Sequence, residues 1–143
     1  MEPRRDNLEN LKHKDITDKI LYAFFKIVYP ALGYGFLEKV YENAFVLALQ
    51  QLGLKVDRQV KITVYFAGQV VGEYFADLIV EDCVIVELKA AQHILLEHEA
   101  QLLNYLRATK FEVGMLINFG HQPRFRRLVF SNDRKSTETW KKN

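Results

Sequence analysis

The 143-residue sequence has little of what marks a secreted or membrane-bound protein. It contains one cysteine, Cys83, so no internal disulfide can form, and this fits a reducing compartment. No apolar run approaches the roughly 20 residues that a membrane-spanning helix needs, and the polar segment 1–6 does not predict a signal peptide. A zinc site is not indicated, because His93, His98 and His121 lack the required spacing and Cys83 has no partner. We therefore expect a cytoplasmic protein.

The composition is that of an ordinary globular protein, with 49% hydrophobic and 27% charged residues. No internal repeat, low-complexity tract or interdomain linker is visible. We predict a single domain over residues 1–143, with a core at about 16–130 and a basic C-terminal tail at 131–143.

Positive charge is concentrated towards the C-terminus. The net charge is +2, but segment 121–143 holds seven Lys or Arg against two acidic residues, which gives +5 for that segment. A basic segment on an otherwise slightly acidic body is typical of proteins that bind a polyanion. A solvated tail that only aids solubility is an equally good interpretation of this pattern.

Apolar periodicity predicts an α/β fold. Helical spacing covers about 16–28, 37–52 and 94–108, and Pro30 is expected to end or kink the first helix. The apolar side of the second helix is predicted to carry Leu37, Val40, Tyr41, Ala44 and Leu47. Strands are predicted at about 58–66, 70–80, 84–89, 111–119 and 125–130, with tight turns at 67–69 and 81–82. The order α-α-β-β-β-α-β-β predicts a mixed sheet flanked by helices.

The stretch from Val84 to Lys89 combines a buried strand with two charges. Alternation places Glu87 and Lys89 on the same face of that strand. Burying a charge is costly unless the charge is paired or binds a metal. The pair therefore forms either a salt bridge at the end of the strand or a metal-binding carboxylate beside a lysine that handles water.

Asp77 lies in the preceding strand, on the far side of the turn at 81–82. An antiparallel hairpin would place its carboxylate close to that of Glu87. Facing carboxylates repel each other unless a cation lies between them, and hard oxygen ligands suit Mg²⁺ or Mn²⁺. A strand aspartate that only serves a turn is the simpler alternative.

Three further residues belong to the same hypothesis. Glu38 begins the second helix directly after Gly33 and Gly35, while Gln101 and Tyr105 share one face of the third helix. Each is weak evidence alone, since a helix glutamate is usually solvated and a Gln–Tyr pair usually borders a core.

The ordered set of these blocks resembles the PD-(D/E)xK nuclease superfamily. Within it, segments 35–41, 86–89, 98–106 and 114–119 are similar to the blocks of the GxxExxY protein family. The resemblance implies a restriction-endonuclease-like core and covers roughly residues 16–130. One departure is that the family usually carries a Glu-Val-His-like segment upstream of the glycines, where this chain has Ile27, Val28 and Tyr29.

The resemblance also implies roles for the residues. Asp77 and Glu87 would hold Mg²⁺ or Mn²⁺ together with the Leu88 backbone carbonyl, and Glu38 would complete the ligand set. Lys89 would orient or help to activate a water molecule, and Gln101 and Tyr105 would position the substrate or brace the site. Phosphate contacts are expected from three arginines of the basic segment, Arg124, Arg126 and Arg127.

Three functions remain open at this point. The first is a metal-dependent nuclease that hydrolyses phosphodiester bonds of DNA or RNA, favoured by the intact Asp, Glu and Lys set. The second is a catalytically silent nucleic-acid-binding module that retains the nuclease fold. The third is an accessory protein that acts through a protein partner or as a homo-oligomer.

Overall fold

A five-stranded sheet lies at the centre of the structure, a computed structural model that describes residues 12–137 and 139. The strands lie side by side in chain order: β1 (Val56–Phe66), β2 (Gln69–Val80), β3 (Val84–Lys89), β4 (Val113–Asn118) and β5 (Arg124–Val129). All neighbours are antiparallel except β3 and β4, which are parallel. The expected mixed sheet is therefore confirmed.

The turns between β1, β2 and β3 have left-handed backbones. Ala67 and Gly68 connect β1 to β2 with φ of 51° and 78°, and Glu81 and Asp82 connect β2 to β3 with φ of 53° each. Two consecutive residues of positive φ match the right-handed twist of a hairpin. Both predicted turns are present, and the second brings β3 back along β2.

The helices cover both faces of the sheet. They are α1 (Lys14–Tyr22), a π-helical segment (Ala23–Val28), α2 (Tyr29–Leu32), α3 (Glu38–Gln51), α4 (Leu96–Ala108) and a short 3₁₀ helix (Asn132–Arg134). The predicted order of helices and strands is confirmed. None of the helices in the described residues has the length and hydrophobicity to cross a membrane.

Alternation along the strands separates two apolar layers. On one face Leu78, Val86 and Ile117 pack with Phe24 and Phe45 of the N-terminal helices. On the other face Ile79, Ile85 and Leu116 pack with α4, through Leu102 and Leu106. Because Glu87 lies two residues after Ile85, its side chain belongs to the α4 face.

Of the two outcomes predicted at Pro30, an end or a kink of the first helix, the end was wrong: the helix continues to Leu32, and a π-helical segment precedes the proline. In that segment the Tyr29 N–H bonds to Phe24 O, an i→i−5 bond, and the wider turn accommodates the proline ring.

The predicted buried side of α3 was also largely wrong. Leu37, Val40 and Leu47 are exposed, and the buried stripe contains Tyr41, Glu42, Phe45, Val46, Ala48 and Leu49. The apolar side chains surround most of this helix, so hydrophobicity alone does not define its inner face.

Part of the predicted basic tail packs on the domain. The Lys135 ammonium donates to the carbonyl oxygens of Thr109 and Phe111, each at 2.7 Å. Burial lowers the Lys135 pKa to about 8. Residues 138 and 140–143 of the tail lie outside the described residues.

Candidate active site

Asp77 and Glu87 meet where strands β2 and β3 separate. Their backbone pairing ends at Leu78 and Val86, one step before the two acidic residues. Beyond this point the two side-chain carboxylates accept hydrogen bonds from backbone N–H groups of the opposite strand. The Asp77 N–H donates to Glu87 Oε1 at 3.3 Å, and the Leu88 N–H donates to Asp77 Oδ2 at 2.8 Å. The two carboxylates are thus held by each other's strand.

Glu87 is almost completely removed from water, with 5% of its surface exposed. Burial is the main cause that raises the Glu87 pKa to about 9, and the neighbouring charge and hydrogen bond of Asp77 raise it further. A carboxyl group with this pKa is protonated at neutral pH. A cation placed against the pair would favour the ionised form instead.

Glu38 stands at the first position of α3, where a tyrosine holds the preceding loop. The Tyr41 hydroxyl donates to Gly33 O at 2.7 Å and accepts the Phe36 N–H at 3.2 Å. Its ring stacks on Phe119 with 4.5 Å between centroids. The loop backbone also needs a residue at φ 108°, which glycine supplies at position 35. These contacts set the start of the helix and with it the place of Glu38.

The environment of Glu38 links it to the carboxylate pair. Burial raises the Glu38 pKa, the charge of Lys89 lowers it, and the charges of Asp77 and Glu42 raise it. Lys89 is partly exposed at the end of β3. None of the ion pairs among the described residues involves Lys89, so the predicted alternative of a salt bridge at the strand end is not formed.

Helix α4 places Tyr105 opposite the carboxylates. Tyr105 is 5% exposed. Burial raises its pKa to about 12, and the charges of Glu87, Asp77 and Tyr74 act in the same direction, while a hydrogen bond with Gln101 opposes them. The phenol therefore stays protonated at physiological pH. Gln101 and Tyr105 contact each other as their i, i+4 spacing predicts.

A family model described as the PD-(D/E)XK nuclease superfamily matches residues 14–128 of the 143. The chain belongs to the PD-(D/E)XK nuclease superfamily. The restriction-endonuclease-like fold expected from the sequence is thereby confirmed, and the α/β sheet with flanking helices is consistent with it.

A solved structure has a fold similar to that of this chain. The crystal structure of SSO0001 aligns with a TM-score of 0.51 at 16% sequence identity, over 89% of this chain. This chain spans 63% of the length of SSO0001. At such low identity the similarity concerns the fold alone. No curated protein sequence matches the chain significantly.

The three arginines of strand β5 lie on two different faces of the PD-(D/E)XK sheet. Arg126 pairs with Leu116 and Arg124 with Asn118, on the α4 face that carries Glu87. Arg126 forms an ion pair with Glu99 of α4 at 3.3 Å. Arg127 points to the opposite face, where its half-buried guanidinium donates to Lys12 O. The structure thus brings Arg124 and Arg126, but not Arg127, to the carboxylate face.

The donor set of this PD-(D/E)XK site fits a hard divalent cation. Two carboxylates and a backbone carbonyl at Leu88 are the oxygen ligands that Mg²⁺ accepts, since this ion binds one or two carboxylates and completes its shell with water and phosphate. Within residues 12–137 and 139, no group of three or more His, Cys, Asp or Glu side chains is close enough to hold a metal. Glu38 therefore lies near the pair without forming a three-carboxylate cluster with it.

Sequence reasoning missed two polar residues beside the carboxylates, Glu42 and Gln59. Glu42 is 4% exposed and accepts hydrogen bonds from Lys39, Arg58 and Gln59. The available signal was its spacing, because Glu42 follows Glu38 by four residues and so shares its helix face. No comparable signal marks Gln59, which belongs to another element.

Proposed function

We propose that this chain is a metal-dependent nuclease of the GxxExxY type that hydrolyses phosphodiester bonds of DNA or RNA. The observation that carries the proposal is the Asp77–Glu87 pair at the opening of β2 and β3. There a buried carboxyl with a pKa of about 9 faces a second carboxylate. Such a pair is unfavourable without a cation and suited to one.

The cation would be Mg²⁺ or Mn²⁺, held by Asp77, Glu87 and the Leu88 carbonyl, with Glu38 reaching it directly or through water. When bound, it would lower the pKa of a coordinated water and neutralise charge on the scissile phosphate. Asp77 is held ready for this role, because Oδ2 already accepts the Leu88 N–H and is thereby oriented.

The remaining side chains would act on water and substrate. Lys89 is free of ion pairs among the described residues, so its ammonium is available to orient the attacking water or to bind a phosphate oxygen. Tyr105 keeps its proton, because its pKa is about 12, and its hydroxyl can donate to substrate oxygen. Gln101, in contact with Tyr105, would fix the orientation of that phenol.

Two grooves beside the site would accommodate a nucleic acid strand. A groove of about 700 Å³ lies between the β1–β2 hairpin and α4 and includes Tyr74, Gln101 and Tyr105. A second, of about 390 Å³, is lined by Gln92, His93, Ile94, His121, Gln122, Arg124 and Arg126. The groove lined by Tyr74 and Tyr105 suits stacked bases, and the groove lined by Arg124 and Arg126 suits phosphates.

Incubation with end-labelled single- and double-stranded DNA and RNA tests the proposal. We expect cleavage of at least one substrate in Mg²⁺ or Mn²⁺, none in chelator, and none by Glu87→Ala. Glu73→Gln is a matched control, because Glu73 lies on β2 in an exposed ion pair with Lys61. If the protein bound nucleic acid but cleaved it in neither Mg²⁺ nor Mn²⁺, the proposed nuclease activity would be overturned and the silent binding module favoured instead.

A further inference from the structure

Gln59 has an unusual backbone for a residue within a strand. It lies in β1 between Arg58, which pairs with Leu78, and Val60, which pairs with Ala76. The position opposite Gln59 is therefore Asp77. Gln59 has φ 49°, the left-handed region that L-residues other than Asn and Asp rarely enter. An unfavourable conformation thus occurs directly across from the proposed metal ligand, where such conformations tend to be functional.

The side chain of Gln59 joins two carboxylates. Its amide nitrogen lies 2.7 Å from Glu42 Oε1 and 3.5 Å from Asp77 Oδ1. A primary amide has two N–H groups, so one can serve each carboxylate. The contact to Glu42 is a short hydrogen bond, and the contact to Asp77 is at the outer limit of one.

Glu42 is a fixed anchor rather than a further metal ligand. Its Oε2 accepts from Lys39 Nζ at 2.6 Å and from Arg58 Nη2 at 2.7 Å, and its Oε1 accepts from Gln59. Burial raises the Glu42 pKa, but hydrogen bonds from Arg58, Lys39 and Gln59 bring it below its ordinary value. With both oxygens occupied by donors, this carboxylate has no reason to bind a cation.

We propose that Gln59 is a positioning residue of the active site, which ties the Asp77 carboxylate to the anchored Glu42. This role rests on the proposed function, because it concerns Asp77 as a metal ligand. A neutral amide is suited to it: it restricts the rotation of Asp77 without cancelling the negative charge that attracts the cation. A lysine or arginine at this position would compete with the metal.

Gln59→Asn separates positioning from folding. Asparagine tolerates the left-handed conformation but is one methylene shorter, so its amide cannot span Glu42 and Asp77. Gln59→Gly removes the side chain and relieves the backbone. In chelator, we expect the thermal midpoint of both variants to equal or exceed that of the wild type. The matched control is Glu81→Asn, also at a left-handed position but in the turn that follows β2 rather than opposite Asp77.

Calorimetric titration with Mn²⁺ alone, without nucleic acid, gives the deciding measurement. We expect both Gln59 variants to bind Mn²⁺ about tenfold more weakly than the wild type and Glu81→Asn to bind it equally well. Cleavage by the Gln59 variants should recover as Mn²⁺ is raised, which a purely structural role would not produce. Wild-type affinity in Gln59→Asn and Gln59→Gly would overturn the positioning role alone. A wild type that binds no Mn²⁺ would overturn the proposed function and this role with it.

Discussion

Glu87 combines deep burial with a pKa of about 9, and this has a consequence for stability. Its ordinary pKa is 4.5, so between these values the folded chain keeps a proton that the unfolded chain has lost. The stability that this bound proton contributes to the folded state is fully present below about pH 4.5 and is lost as the pH rises through 9. Across this window the metal-free protein should lose up to about 1.4 kcal/mol of unfolding free energy per pH unit through this group.

Denaturant unfolding in chelator from pH 5 to pH 9 measures this loss. Glu87→Gln, which carries no titrating group, should show a distinctly flatter dependence on pH. Glu73→Gln, on the exposed face of β2, should behave like the wild type. Equal slopes in Glu87→Gln and the wild type would show that Glu87 does not hold the proton.

Asp77 allows function to be separated from stability at a single residue. Asp77→Asn keeps an oxygen that can accept the Leu88 N–H but removes the charge that faces Glu87. We expect the metal-free variant to be as stable as the wild type or more stable. Mn²⁺ at a hundredfold excess over its dissociation constant should stabilise the wild type by about 2.7 kcal/mol, and the variant should lose most of this gain and its cleavage activity.

Melting curves of both proteins with chelator and with Mn²⁺ check this prediction. If Asp77 served only the structure, its substitution would destabilise the metal-free protein by roughly 3–5 kcal/mol, as when a buried pair is broken. An unstable metal-free variant with an unchanged response to Mn²⁺ would contradict the metal site.

At the scale of elements, strand β5 divides its arginines between the two faces of the sheet. Arg124 and Arg126 lie on the carboxylate face, whereas Arg127 is half-buried against the N-terminal segment. Replacing Arg124 and Arg126 by Gln should lower the slope of log affinity against log salt by about 0.9 per lost contact on duplex DNA. Arg127→Gln should leave the slope unchanged and lower the thermal midpoint instead.

Fluorescence anisotropy at several salt concentrations gives these slopes for a labelled oligonucleotide and inactive Glu87→Ala protein. If Arg127→Gln reduced the slope and replacement of Arg124 and Arg126 did not, the phosphate contacts would lie on the sheet face opposite the carboxylates.

The loops that follow β3 and β4 are locked together at Gly120. A Cβ at this position would lie 2.2 Å from Ala91 O, and Ala91 also exchanges two hydrogen bonds of 2.9 Å with the Asn118 side chain. Since backbone cannot yield as a side chain does, Gly120→Ala should destabilise the fold by about 1–3 kcal/mol. It should also shift the loop directly after Lys89 and reduce cleavage.

Denaturant unfolding compares Gly120→Ala with Gly72→Ala, whose added Cβ would meet Tyr74 at an ordinary 3.4 Å. We expect Gly72→Ala to stay within about 0.5 kcal/mol of the wild type. Equal stability of the two variants would show that the loops move apart freely.

For the whole molecule, the sequence predicted the sheet far better than the helix faces. Strand apolarity and two short turns determine the hairpin register, and the register places Asp77 opposite Glu87. The face of α3 was mispredicted, because Leu37 and Leu47 are as apolar as the buried Phe45 and only the tertiary contacts distinguish them.

The contacts of Glu42 and Gln59 were beyond prediction for another reason. They join a helix to a strand and depend on a left-handed residue that no glycine or asparagine marks in the sequence. Local rules of periodicity and turn composition carry no information about such a contact.

The chain topology also sets an order for the assembly of the site. Asp77 and Glu87 belong to one hairpin, ten residues apart, whereas Tyr105 lies on α4, within the crossover that joins β3 to the parallel β4, and reaches them only when that crossover packs on the sheet. Closing the longer, non-local connection is the slower event in folding. In stopped-flow refolding, Ile85→Val on the hairpin should slow folding, while Leu106→Ala on α4 should mainly speed unfolding. The carboxylates would then meet early, and the tyrosine would arrive last to exclude solvent from them.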